Sequence, residues 1–184
     1  MGKRFDHITE EQAGWIRQQP MFFVATAGKT GTINLSPKGM DSFRILGPRQ
    51  ICWLNLTGSG NETATHLEET PRMTIMFNAF DGKPKILRLY GSAACLHHGD
   101  PGFRQLIKQF PDLPGKRQVI NMQVDLVQTS CGFGGPLMEF KAQRTVLPDW
   151  ANQKGEEGIR AYWEEKNSVS LDGHQTHITK KQKV

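Results

Sequence analysis

Three stretches of this chain combine residue types that could hold an anion. The richest is LNLTGSGNET (54–63). A strand running into Thr57, then Gly58 and Gly60, would expose backbone N–H groups. Ser59, Thr57 and Asn61 would add side-chain donors at a helix N-terminus, where aligned peptide dipoles favour negative charge. It is not a dinucleotide fingerprint, because Thr63 stands where a third glycine is required, and it lacks the Gly-Lys-Ser/Thr ending of a Walker loop. The same residues would serve equally as a tight strand-to-helix turn capped by Ser59 or Asn61. In the second stretch, NLSPKG (34–39), Lys38 sits at a strand end beside Pro37, held close to the sheet. The third is ILRLY (86–90), where alternation places Ile86, Arg88 and Tyr90 on one face. An arginine within an apolar strand needs a carboxylate or a phosphate beside it, so an internal salt bridge and a ligand site are both open.

Other chemistries find less support. His97 and His98 are adjacent on a strand and point opposite ways, and His66 has no partner at ligand spacing, so no metal site is expected. No G-x-S-x-G elbow and no paired carboxylates stand out. Cys52, Cys95 and Cys131 are odd in number and widely spaced, which fits reduced thiols in a cytoplasmic protein better than a disulfide framework. The formal charge is +5, but Lys180, Lys181 and Lys183 supply three of those charges, and the chain before them nets only +2. That is a basic tail rather than a nucleic-acid surface, and no apolar run is long enough to span a membrane. With 184 residues and 37% apolar residues, a single domain with its own core is expected.

The elements that would position these residues are mostly strands. Thr9-Glu10-Glu11-Gln12 reads as a capping box for a helix to about Gln19, stopped by Pro20. Strands follow over 21–28 and 32–36 as a hairpin, then near 42–46 and 50–56, the last apolar enough to be central. A short helix is expected over 62–69, strands over 72–78 and 85–96, and a helix after Asp100-Pro101 whose apolar face is Phe103, Leu106, Ile107 and Phe110. The strand 119–129 alternates, with Ile120, Met122, Val124 and Leu126 on one face. A last strand is expected over 136–140, then a helix from Asp149 weakened by Gly155. Strands in hairpin succession argue for a mainly β protein: an antiparallel barrel or barrel-like sheet with flanking helices.

FFVATA, NLSPKG, LNLTGSGNET, ILRLYG and CGFG, in this order, resemble the pyridoxamine 5′-phosphate oxidase-like FMN-binding split-barrel family, and EEKNSVSLDG (164–173) is similar to the end of one branch of it. The resemblance covers roughly residues 20–173. It implies a six-stranded antiparallel, Greek-key-like split β-barrel over 1–173, with 174–184 a flexible basic tail. It also implies a homodimer with FMN at the subunit interface, taking electrons from a small-molecule substrate or a nicotinamide donor. Carried across, the cofactor-binding residues are Ser36 and Lys38 from one strand, Asn55 and Thr57 from the next, Ser59, Gly60 and Asn61 at the helix start, and Arg88 facing the same groove. The chain departs from the oxidases proper in two places. Gly60-Asn61 replaces an Arg-Lys pair, leaving Lys38 and Arg88 as the substitute cations, and the end SLDGHQTHITKKQKV lacks an R-L-H-x-R substrate segment. An FMN-dependent oxidoreductase other than the authentic oxidase is therefore implied. The alternatives are a non-catalytic flavin carrier, store or redox sensor, and a dimer binding another flat ligand such as haem or a deazaflavin.

Overall fold

The computed structural model describes residues 2–181 of the chain. The elements are β1 (Lys3–Phe5), α1 (Glu10–Arg17), β2 (Phe22–Ala27), β3 (Ile33–Lys38), β4 (Phe43–Gly47), β5 (Gln50–Leu56) and α2 (Glu62–Glu69), followed by β6 (Arg72–Asn78), β7 (Ile86–Leu96), α3 (Phe103–Leu106), β8 (Lys116–Ser130), α4 (Val146–Lys166) and α5 (Ile178–Lys181). All strand pairs are antiparallel, in the order β3-β2-β6-β7-β8-β5-β4. The fifteen-residue β8 is the spine: β7 lies along one edge, while β5 and then β1 share the other. The fold is thus mainly β and barrel-like with flanking helices, and the described residues place eight strands on it where the resemblance implies six.

The core explains the order. Phe22, Val24, Ile51, Trp53, Ile75, Phe77, Leu87, Leu89, Ile120 and Met122 form one buried cluster on the inner face. Burial of each large apolar side chain contributes roughly 1.5–3 kcal/mol. The central strand β5 is buried on both faces, because Cys52 and Leu54 pack outward against Phe103, Phe110 and Val119. The capping box forms as expected, with Gln12 N donating to Thr9 Oγ1 and Thr9 N to Gln12 Oε1, and α1 buries Ala13 and Ile16 on the main core.

Several expectations are corrected. The inward face of β8 does not run through Leu126: the register slips between Tyr90↔Leu126 and Gly91↔Val124, so Asp125 bulges and Val127 becomes the buried residue. The bulge presses the Gln123 carbonyl against Gly91, where any Cβ would collide with it. Residues 136–140 form no strand; Leu137, Met138 and Phe140 lie exposed along an extended segment. The helix after Asp100 starts at Gly102, whose φ of 84° is left-handed, because the Asp100 carboxylate accepts from His97 N at 2.7 Å instead of capping. α4 begins at Val146 rather than Asp149, and Gly155 (φ 66°) interrupts it, in line with the weakening expected there. The stretch from 174, expected as a loose tail, is packed as far as 181: Thr176 and Ile178 are fully buried, and Lys181 Nζ donates to Glu68 Oε1 at 2.7 Å. Residues 182–184 of that tail lie outside the described residues.

Candidate functional site

Side chains alternate along β3, so Asn34, Ser36 and Lys38 share the face of their partners Thr26, Val24 and Phe22. The start of α2 lies against that face, since Asn34 Nδ2 donates to Thr63 Oγ1 at 3.1 Å and Ser36 Oγ donates to Asn34 Oδ1 at 3.0 Å. Lys38 Nζ sits 5.3 Å from the centroid of the Trp53 ring. Burial lowers the Lys38 ammonium from 10.5 to about 8, repulsion from Arg117 adds to the shift, and Glu62 opposes it.

The end of β5 and the turn after it hold polar groups with no partner among the described residues. Asn55 Nδ2 donates to Gln118 Oε1 at 2.9 Å, which leaves Asn55 Oδ1 and Gln118 Nε2 buried and unbonded. Trp53 Nε1 is in the same condition. Asn61 is the N-cap of α2 but makes no capping bond; it is 2% exposed and neither end of its amide has a partner. A buried polar group left unsatisfied costs about 1–3 kcal/mol, so this set calls for polar partners that the described residues do not supply.

A second cation reaches this turn from β8. Arg117 is 2% exposed, and its Nη1 donates at 2.9 Å both to the Gly60 carbonyl and to Asn167 Oδ1. Burial lowers its guanidinium from 12.5 to about 10, so it remains charged at neutral pH. Glu62 folds its carboxylate back over Gly60, into the space that a Cβ there would need. Glycine at this position therefore leaves room for an internal anion close to both cations.

Not every residue expected at the site converges on it. Thr57 is fully engaged elsewhere: its Oγ1 donates to the Gly115 carbonyl and accepts from Trp163 Nε1, both at 2.8 Å. The Ser59 side chain is exposed. Arg88 pairs across the sheet with Met76 and Gln128 and lies on the opposite face from its buried neighbours Leu87 and Leu89; its Nη1 donates to Ser130 Oγ at 3.3 Å. Among the described residues of one chain, the cations at the turn are Lys38 and Arg117, and Arg88 is separated from them by the sheet. Arg117, Gln118 and Trp53 escaped the sequence reading. Lys116-Arg117-Gln118 looks like a polar strand start, and the signal that Arg117 is internal lies in Asn167, fifty residues away.

Other reactive groups are quiet. Burial pushes the Cys52 and Cys95 thiols up to about 12 and the His97 imidazole down to about 4. His98 stacks on Phe103 at 4.5 Å. Among the described residues no group of three or more His, Cys, Asp or Glu is arranged to hold a metal ion, and no helix is long and apolar enough to cross a membrane.

Comparison with known proteins places this arrangement. The Aspergillus flavus pyridoxamine 5′-phosphate oxidase family protein ustO is 39% identical over 150 residues, 79% of this chain, and the chain spans 59% of that relative's length. Three solved structures share the fold. A point variant of HupZ from Group A Streptococcus superposes with a TM-score of 0.53 at 20% identity, covering 67% of this chain and 99% of its own. A Clostridium acetobutylicum protein related to general stress protein 26 gives 0.52 at 14% identity, covering 66% and 86%. HutZ from Vibrio cholerae, described as a heme storage protein, gives 0.50 at 17% identity, covering 68% and 97%. A family model for pyridoxamine 5′-phosphate oxidase matches residues 8–131, two thirds of the sequence and the whole of the sheet apart from β1. The chain belongs to the pyridoxamine 5′-phosphate oxidase family.

Proposed function

We propose that this protein binds FMN at the β3–β5–α2 turn and works as an FMN-dependent oxidoreductase on a small-molecule substrate or a nicotinamide donor. The observation that carries this reading is the unpartnered buried set around Asn61, Asn55, Gln118 and Trp53, placed beside Lys38 and Arg117. The donor set suits a phosphate monoester: a lysine, the Asn61 amide and the first backbone N–H groups of an eight-residue helix, backed by a buried guanidinium. Lys38 and Asn61 would hold the phosphate, Arg117 would fix the turn and add positive potential, and Trp53 would wall the groove. When bound, the isoalloxazine supplies hydride and electron transfer at N5; the protein supplies orientation and exclusion of water.

A homodimer belongs to the same reading. Ile33 and Leu35 on the outward side of the edge strand β3 are 77% and 66% exposed, and Phe133 and Leu137 on the extended segment are 80% and 82% exposed. Apolar side chains so displayed are suited to a second copy, whose contact would bring the outward-facing Arg88 to the groove. Cytoplasmic residence is part of the proposal, in keeping with three cysteines held as thiols.

The test is the absorption spectrum of the purified protein, with identification of any heat-released chromophore. The two visible flavin bands and released FMN are the expected result. A protein that is colourless and takes up no added FMN, or one with a Soret band, refutes the cofactor.

A further inference from the structure

The segment that follows α4 lies outside the region matched by the family, yet it reaches the proposed site through Asn167 and braces the elements that carry the site at two further points. Asn167, the fully buried C-cap of α4, accepts from Arg117 through Oδ1. Its Nδ2 donates to the Gly58 and Ser59 carbonyls at 2.9 and 3.3 Å, and its own carbonyl accepts from Thr176 Oγ1. One amide thus joins the guanidinium to the turn that begins α2. From there the chain folds back on itself, Thr176 N bonding to Ser168 O and Ser170 N to His174 O. At the tip of that fold the Asp172 carboxylate accepts from both N and Oγ1 of Thr32, each at 2.9 Å, so it holds the β2–β3 turn. It also lies 4.0 Å from Nε2 of His66, a buried residue of α2 that contacts Thr26 Oγ1 through Nδ1. Beyond it, Lys181 ties down the far end of α2 through Glu68.

We propose that residues 167–176 are a working part of the phosphate site, with Asn167 as the positioning residue that aims Arg117 and the 58–60 turn at the phosphate. The proposal rests on the FMN reading above. An amide is suited to this place because it offers an acceptor to the guanidinium and two donors to the carbonyls at once. Neither carboxylate nor hydroxyl supplies that combination, and a carboxylate would also cancel the positive potential that draws the ligand.

The experiment compares FMN with riboflavin, which lacks the phosphate, in fluorescence titrations of the full chain and of Asn167→Ala and Asn167→Asp. In the native protein FMN binds more tightly than riboflavin. In both variants the FMN dissociation constant is expected to rise about tenfold or more, the loss of roughly one charge-assisted contact, with riboflavin affinity unchanged. FMN affinity unchanged, or FMN and riboflavin weakened alike as a purely structural residue would give, overturns the assignment. A native protein that does not distinguish the two ligands overturns the FMN reading itself and this inference with it. Hydrogen exchange on the native protein decides the matter independently of whether the variants fold. FMN should slow exchange in 58–63 and in 167–176 together, and protection confined to 58–63 refutes the role of the later segment.

Discussion

Lys38 should make the empty protein less stable and the loaded one possible, and the two effects can be read separately. The ammonium is held at about 8 against 10.5 for an ordinary lysine. At about 1.4 kcal/mol per pH unit, carrying the charge inside the fold at neutral pH costs about 3 kcal/mol. Lys38→Met keeps an unbranched side chain one atom shorter and removes the charge. Allowing about 1 kcal/mol for the lost cation–π contact with Trp53, the ligand-free variant should be about 2 kcal/mol more stable than the native protein at neutral pH. The gain must also shrink as the pH rises. The unfolded chain holds its lysine proton up to 10.5 and the folded one releases it near 8, so native stability increases across that window and the advantage of methionine fades. FMN affinity should move the other way, falling roughly ten- to hundredfold with the loss of one charge-assisted contact. Above about pH 8 FMN binding should take up a proton, because phosphate favours the charged ammonium. Urea unfolding of both ligand-free proteins at neutral pH and near pH 9.5 measures the first effect, and calorimetric titration in two buffers measures the second. A variant less stable than native at neutral pH, or a difference that ignores pH, would refute the argument.

Three further substitutions separate the roles assigned above. Glu62→Gln should tighten FMN binding, roughly three- to tenfold, by removing the anion that sits near Lys38 and Arg117; weaker binding in the same titration would show the carboxylate is not a competitor. Thr57→Val should lower stability by about 1–3 kcal/mol, since the Gly115 carbonyl and Trp163 lose their partner, and should leave FMN affinity within twofold. Gly91→Ala should destabilise by about 3 kcal/mol or more, because its Cβ meets backbone rather than a movable side chain; an unchanged urea midpoint would argue against the bulge at Asp125.

What the sequence disclosed and what it withheld follow from the range of the interactions. Helix α2 and strands β5 and β6 occupy the spans read from their residues, because caps, prolines and apolar alternation act within a turn or two. β1 escaped notice because its three residues carry no pattern and exist as a strand only through pairing with Val127–Thr129. Leu137, Met138 and Phe140 have strand-like composition, but β7 and β1 already take the two edges of β8 at its end, and the segment forms no strand, only a bond from Met138 N to the Phe80 carbonyl. At the site, the residues alone suggest an anion-friendly turn at Thr57, Gly58, Ser59, Gly60 and Asn61 and a lysine at a strand end at Lys38, while Asn55 enters only through the family resemblance. Thr57 and Arg88 have the same chemistry, but the sheet points one at α4 and the other at the opposite face. Arg117 could not be found locally, since its neighbours in space are Gly60 and Asn167.

The separation along the chain of the partners that fix the site has a consequence for how a newly made molecule matures. Asn167 reaches Gly58 across 109 residues, and Asp172 reaches Thr32 across 140. Every strand has left the ribosome once Ser130 has emerged, so the sheet can assemble while its binding turn is still unbraced. At roughly 5–20 residues per second, a few seconds pass before Asn167 arrives. In that interval the nascent protein has a core, but the amide that ties Arg117 to the 58–60 turn is still missing. If the turn holds FMN as proposed, competence to capture it is the last property the chain acquires, and a truncated or stalled product could fold as a sheet and still be blind to that ligand.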